Sequence, residues 1–262
     1  MTEKENALRI IRFDRPERVV SGLPTFDLWY LGCNHEGYAG GGHHLPVGSK
    51  WTDIWGTEWH REHPGVMGFP RGHPLADLPR ALAHYTWPDP DDERIIGPVY
   101  RTAAKRQGTD SFVTGSHRDT LWEKSYMLVG MENLMCWFHE EPGAVRELLH
   151  RVMDFQLGLA RHYVELGVEL VSLTDDLGAQ ERLLLSPALI GEFLLPEYRR
   201  LFAFYKSRGI MVGFHSCGHV EPLIGTFMDL GVDILNPLQA SANDLEAIRR
   251  VIMRGLSLPA AL

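Results

Sequence analysis

The residues with the richest chemistry in this chain lie just past short apolar runs. Phe214-His215-Ser216-Cys217-Gly218 sets an imidazole and a thiol two positions apart. On an extended chain alternate side chains point the same way, so these two could converge on one ion. Zinc accepts that mixed donor set, although two ligands do not complete a tetrahedral site. A buried cysteine beside a hydrogen-bonded histidine is the competing reading. Asp175 and Asp176 follow a second apolar run, residues 170–174. Paired carboxylates can bind a cation, orient a substrate or shift each other's pKa. Equally, one can cap a backbone turn while the other is solvated. Asp53 sits among Trp51, Trp55 and Trp59. Aromatic walls desolvate a carboxylate and raise its pKa, as a general acid requires; a half-buried strand with surface acids reads the same way. Asn236 and Gln239 offer neutral donors and acceptors to a ligand, or to backbone groups at a strand end. His35, His43 and His44 are irregularly spaced in a glycine-rich stretch, which favours solvated loop histidines over a metal cluster.

These residues need a frame to hold them. Residues 4–13 read as a helix that stops before Pro16, and 25–31 as a buried aromatic strand. Residues 32–74 hold six of the 13 histidines and the run Gly40-Gly41-Gly42. They read as long active-site loops around a short strand at 51–55, since loops of this length usually serve a site. Helices are expected at 75–85, 93–107 and 142–166, with one or two more over 119–140 and a strand at 111–115. Beyond that the pattern alternates: strands at 170–174, 210–214 and 232–235, helices at 186–208, 220–230 and 243–253. A further strand could begin at 255–258. Short apolar strands without polar alternation belong to parallel sheets covered on both faces. Repeated strand–helix units make the fold class α/β. Neither Gly-x-Gly-x-x-Gly nor Gly-x-x-x-x-Gly-Lys-Ser/Thr occurs, which argues against a dinucleotide fold or a nucleotide triphosphatase. Polar residues at the ends of several different strands fit a (β/α)8 TIM-barrel type instead.

Composition narrows the partners. The chain of 262 residues carries 26 basic and 34 acidic side chains, a net charge of −8, which disfavours nucleic acid. No apolar run is long enough to span a membrane, and the N-terminus lacks the apolar core of a secretory signal. Three cysteines far apart make no disulfide framework and fit a reducing, cytoplasmic setting.

The ordered motifs Thr174-Asp-Asp-Leu-Gly-Ala-Gln180, Ser186-Pro187, Pro196, His215-Ser-Cys-Gly218 and Gly231-Val-Asp-Ile-Leu-Asn-Pro-Leu-Gln239 resemble the uroporphyrinogen decarboxylase superfamily. Arg15-Pro-Glu-Arg-Val19 and Asp53-Ile-Trp-Gly56 extend the likeness loosely toward the N-terminus. That superfamily holds heme-pathway decarboxylases and zinc-dependent methyltransferases that act with corrinoid proteins. The resemblance implies a single (β/α)8 barrel domain over residues 1–262. About six of its eight strand–helix units are expected here, so the chain reads as C-terminally truncated. In the methyltransferase branch His-x-Cys binds zinc, which implies His215 and Cys217 as ligands, with a further cysteine expected beyond residue 262. Asp53, Asp175 and Asp176 are then candidate catalytic residues, and Gln180, Asn236 and Gln239 candidate substrate contacts. The implied activity is methyl transfer between a corrinoid protein and a small thiol, with the corrinoid supplied by that partner; a homodimer is compatible with it. In the decarboxylase branch an Asp and several arginines hold a porphyrinogen, and Asp53 could match that Asp. The arginine-rich segment after the first strand is absent here, where the sequence is Leu31-Gly-Cys-Asn-His-Glu36. A non-catalytic tetrapyrrole or corrinoid binder, or an inactive fragment, is the third reading.

Overall fold

Short apolar runs can bury their backbone groups only by pairing with one another, and those of this chain do so. The computed structural model describes residues 1–31, 45–108 and 110–257. His35, His43 and His44, with most of the glycine-rich stretch, lie outside the described residues. In chain order the elements are α1 (Glu3–Ile11), β1 (Thr25–Leu28), β2 (Lys50–Thr52), β3 (Glu58–His60), β4 (Phe69–Gly72), α2 (Leu78–Ala81), α3 (Glu93–Ala103), β5 (Phe112–His117), α4 (Trp122–Val129), α5 (Met131–Glu140), α6 (Pro142–Glu165), β6 (Leu170–Thr174), α7 (Pro187–Leu189), α8 (Leu195–Lys206), β7 (Met211–His215), α9 (Ile224–Leu230), β8 (Ile234–Asn236) and α10 (Leu245–Ser257). They fall into two units. The first comprises Met1–Phe26, Gly108–Gly115 and Val168–Leu262; the second comprises Asp27–Gln107 and Ser116–Gly167.

The five-stranded sheet has the order β1-β5-β6-β7-β8, the α/β architecture that strand–helix alternation implies. Among the described residues it does not close on itself. β6, β7 and β8 run parallel, and their register sets Thr174, His215 and Asn236 side by side. The strands hold this register because their apolar side chains are buried. Val171, Leu173 and Val212 are wholly buried. The Phe214 ring packs against Phe227, Tyr198 and Phe202 at centroid distances of 5.0, 5.7 and 6.2 Å. Each such buried side chain contributes about 2–3 kcal/mol, which anchors the strand end carrying His215.

The second unit carries the sheet β2-β3-β4 and helices α2 to α6. Its core includes Trp55 edge-on to Phe155 at 4.7 Å, and Trp122 stacked near Phe138 at 6.4 Å.

Several expected elements differ from the observed ones for physical reasons. The run at 51–55 does not add a parallel strand. β2 pairs antiparallel with β3, Trp51 opposite Trp59, through a tight turn at Gly56 (φ 76°). Of the one or two helices expected over 119–140 the chain forms two, because Gly130 at φ 89° breaks the helical path. The helix at 186–208 contains a π turn over Ile190–Leu194. Pro196 has no N–H to offer the carbonyl of Glu192, and the wider turn accommodates the missing bond. Residues 255–257 continue α10 and start no strand. One glycine costs a helix only about 1 kcal/mol, and Asp244 starts α10 firmly, accepting from the N–H groups of Glu246 and Ala247.

Candidate metal centre

Two strand-end loops of the first unit, one after β6 and one after β7, are fastened together residue by residue. The Asp175 N–H donates to the His215 carbonyl at 3.0 Å, extending the ladder one step past the strands. The Cys217 N–H donates to Asp176 Oδ1 at 2.8 Å, and the Leu177 N–H to Ser216 Oγ at 2.9 Å. The His219 N–H donates to the Ala179 carbonyl at 2.7 Å. This closeness depends on two glycines. A Cβ on Gly178 would lie 2.6 Å from the His219 nitrogen, and one on Gly218 (φ 80°) 2.4 Å from the Gly178 backbone.

The interlocked loops bring three ligating side chains together. Asp176, His215 and Cys217 each offer an atom within 4.8 Å of the other two, the only such group of three among the described residues. Cys217 Sγ is 3.4 Å from His215 Nε2, and Asp176 Oδ1 is 3.8 Å from the same nitrogen. A nucleophile–histidine–acid relay needs the two partners on opposite ring nitrogens. Here both face Nε2, which is the arrangement of convergent ligands. Zinc bonds of about 2.0–2.3 Å at tetrahedral angles separate neighbouring donors by roughly 3.3–3.5 Å. The two spacings from Nε2 lie within about half an ångström of those values and the third is no more than 4.8 Å, so this set of oxygen, nitrogen and sulfur donors is compatible with a zinc ion after small side-chain shifts. All three residues are half-buried.

The remaining expected site residues of this unit take distinct places. Asp175 is wholly buried, and its Oδ2 accepts from the Tyr198 hydroxyl of α8. Gln239 lends Oε1 to the Gly218 N–H. Asn236 is exposed beside His215 in the register, and its carbonyl accepts from the Ser216 N–H. Gln180 is exposed and donates to the Ser241 carbonyl at 3.1 Å. Asp176, a candidate catalytic or cation-binding carboxylate from the sequence, lies beside the candidate ligands His215 and Cys217. Asp176 and Cys217 each stand two residues past the paired positions Thr174 and His215, a register that the folded sheet shows and the sequence alone does not.

Asp53 belongs to the second unit, in the turn between β2 and β3. Its Oδ1 accepts from the N–H groups of Trp55 and Thr57, both at 2.9 Å, and its Oδ2 from Trp59 Nε1 at 3.0 Å. Lys124 Nζ lies 3.9 Å from Oδ2 and 4.0 Å from Asp119 Oδ2. Burial raises the Asp53 pKa, against the lowering pull of Lys124 and the three hydrogen bonds. The desolvation expected from the tryptophans is therefore present, but the carboxylate is spent on holding the turn. Sequence reading missed Lys124, which is wholly buried on a helix that reads as ordinary amphipathic chain. His117, at the end of β5, is also wholly buried, and burial pushes its pKa down to about 4. Gln156 Nε2 donates to the Thr120 carbonyl, so its Oε1 accepts from His117 Nδ1, at 2.7 Å.

The family model for uroporphyrinogen decarboxylase (URO-D) matches residues 120–258, more than half of the chain. The chain therefore belongs to the URO-D family. Its structure is similar to that of a methyltransferase from Methanosarcina mazei, with a TM-score of 0.61 and 17% sequence identity, over 90% of this chain and 75% of that one. At that identity the likeness establishes the fold. No curated protein matches the chain. Among the described residues no helix is long and apolar enough to cross a membrane.

Proposed function

We propose that this URO-D family chain is an enzyme that transfers a methyl group between a corrinoid carried by a partner protein and a small thiol, using zinc held by Asp176, His215 and Cys217. The observation that carries the proposal is the convergence of those three side chains on one point. Membership of the family and the fold shared with a protein described as a methyltransferase support it. Bound zinc would lower the pKa of a coordinated substrate thiol and keep it a thiolate at neutral pH. Counting only the three ligands offered by the described residues, one tetrahedral position would be left for that thiol, as in catalytic rather than structural sites. Cys217 and Asp176 would supply two negative charges to offset those of the ion, and His215 would offer Nε2, the ring nitrogen that faces both. Asp175 acts one step behind, fixing the loop through Tyr198. Exposed Asn236, beside His215 in the register, and Gln180, in the loop after β6, would orient the rest of the substrate.

Methyl transfer from a methylated corrinoid to a small thiol, measured with the zinc-loaded chain, tests the reading. Cys217→Ser is expected to reduce turnover by about 100-fold or more, beyond the usual range for residues that merely support a ligand. Unchanged turnover in that variant would overturn the assignment.

Decarboxylation of uroporphyrinogen is the second reading, favoured by the name of the matched family. It would use Asp53 to orient pyrrole N–H groups, and that carboxylate already accepts three hydrogen bonds inside its own turn. Formation of a decarboxylated porphyrinogen by the metal-free chain would favour this reading over methyl transfer.

A further inference from the structure

The loop that holds Cys217 is gripped from a third side. Beyond β8, Asn243 is only 8% exposed and uses its whole side chain on backbone groups. Its Oδ1 accepts from the N–H groups of Val220 at 2.9 Å and Glu221 at 3.0 Å. Its Nδ2 donates to the carbonyls of Gly218 at 2.9 Å and Gln239 at 3.0 Å. A primary amide has two donors and two acceptor lone pairs, and all four are engaged. The same strap adds two more ties: the Gly218 N–H donates to Gln239 Oε1, and His219 Nδ1 donates to the Ala242 carbonyl at 2.7 Å. Residues 176–179 therefore hold the Cys217 turn on one side and residues 239–243 on the other.

We propose that Asn243 is a positioning residue for the Cys217 ligand, fixing the turn at Gly218–Glu221 so that Sγ meets His215 Nε2. The inference rests on the metal reading above. The hydrogen bonds of its side chain go to backbone groups of Gly218, Val220, Glu221 and Gln239, and none goes to Asp176, His215 or Cys217. It acts by removing alternative paths for the backbone just after the thiol. Losing the Nδ2 donors frees the Gly218 carbonyl, one residue from Cys217, and lets Sγ drift from the 3.4 Å spacing.

Cobalt(II) in place of zinc gives a readout independent of turnover, because a cysteine thiolate on cobalt produces a charge-transfer band in the near ultraviolet. Asn243→Ala and Asn243→Asp are compared with the parent chain. The aspartate is nearly isosteric, keeps the acceptor oxygen and loses the two donors, so it is read if the alanine variant does not fold. Asn6→Ala is the control. Asn6 is 1% exposed and uses its amide alike, accepting from the N–H groups of Glu17 and Arg18 and donating to the Arg18 carbonyl. Both Asn243 variants are expected to bind cobalt at least about 10-fold more weakly, with a diminished thiolate band. Asn6→Ala is expected to melt earlier while keeping affinity and band. Parent-like cobalt binding in the Asn243 variants would overturn the proposal, as would an equal loss in Asn6→Ala. A parent chain that shows no thiolate band would overturn the metal reading itself, and this inference with it.

Discussion

Asp175 and Asp176 are chemically identical neighbours, yet the chain gives them opposite tasks. The ladder continues one residue past β6, because the Asp175 N–H bonds to the His215 carbonyl. That step turns Asp175 toward Tyr198 and leaves Asp176 on the side of His215 and Cys217. Adjacent carboxylates in a sequence carry no mark of which face each will take, so their division was not legible. His215 and Cys217 were, because alternation along an extended chain is a rule of backbone geometry. Asp53 shows the reverse case. Its tryptophan surroundings were legible, while the three donors that occupy it depend on a hairpin that only the folded chain reveals. Replacing Asp53 with Ala leaves those three donors without their acceptor and removes one of the two carboxylates that face the buried Lys124. It is expected to lower stability by roughly 3 kcal/mol or more in chemical denaturation, with zinc uptake unchanged. His117 makes a second claim at this scale. Its folded pKa of about 4 lies below the ordinary value of 6.5, so the folded state favours the neutral ring. The stabilisation is complete above about pH 6.5 and disappears as pH falls toward 4, a loss of roughly 3 kcal/mol. His117→Gln is expected to flatten that part of the stability–pH curve; an unchanged slope would refute the role.

At the scale of elements, the alternating second half was readable because each strand is a short apolar run and each helix has a boundary residue, such as Ser186 at the start of α7 or Gly231 at the end of α9. The stretch at Trp51 was misplaced because an aromatic run looks the same in a parallel or an antiparallel sheet; what decides is the turn at Gly56, which returns the chain onto itself. Pro196 falls inside the helix expected at 186–208, where a proline signals an irregularity, but not whether a kink, a break or a π turn will absorb it. The interlock of the two ligand loops is the feature most exposed to test. Gly218→Ala meets both a φ of 80° and a contact at 2.4 Å. It is expected to cost roughly 2 kcal/mol or more and to weaken metal binding, because the backbone on both sides of Cys217 must shift. Gly191→Ala has nothing within 4 Å and no positive φ. It is expected to be neutral, or stabilising by up to about 1 kcal/mol. Thermal melts of the two variants separate a glycine required by contact from one that is merely present.

At the scale of the whole molecule, the URO-D family and its α/β fold supply the scaffold, and the strand ends of one unit supply the candidate ligands. The sequence showed this broad plan because burial and periodicity act along the entire chain, whereas the site itself depends on loop contacts a few ångströms across. A metal that binds only the folded chain must stabilise it by mass action, by about 2.7 kcal/mol at a hundred times its dissociation constant. Zinc should therefore raise the melting temperature and a chelator reverse the effect. The direct measurement is zinc content per chain after equilibrium dialysis, for the parent and for Asp176→Ala, His215→Ala and Cys217→Ser. The expected result is one zinc per parent chain and a marked loss of uptake in each variant. A parent chain that holds no zinc, or variants that hold it as well as the parent, would contradict the account.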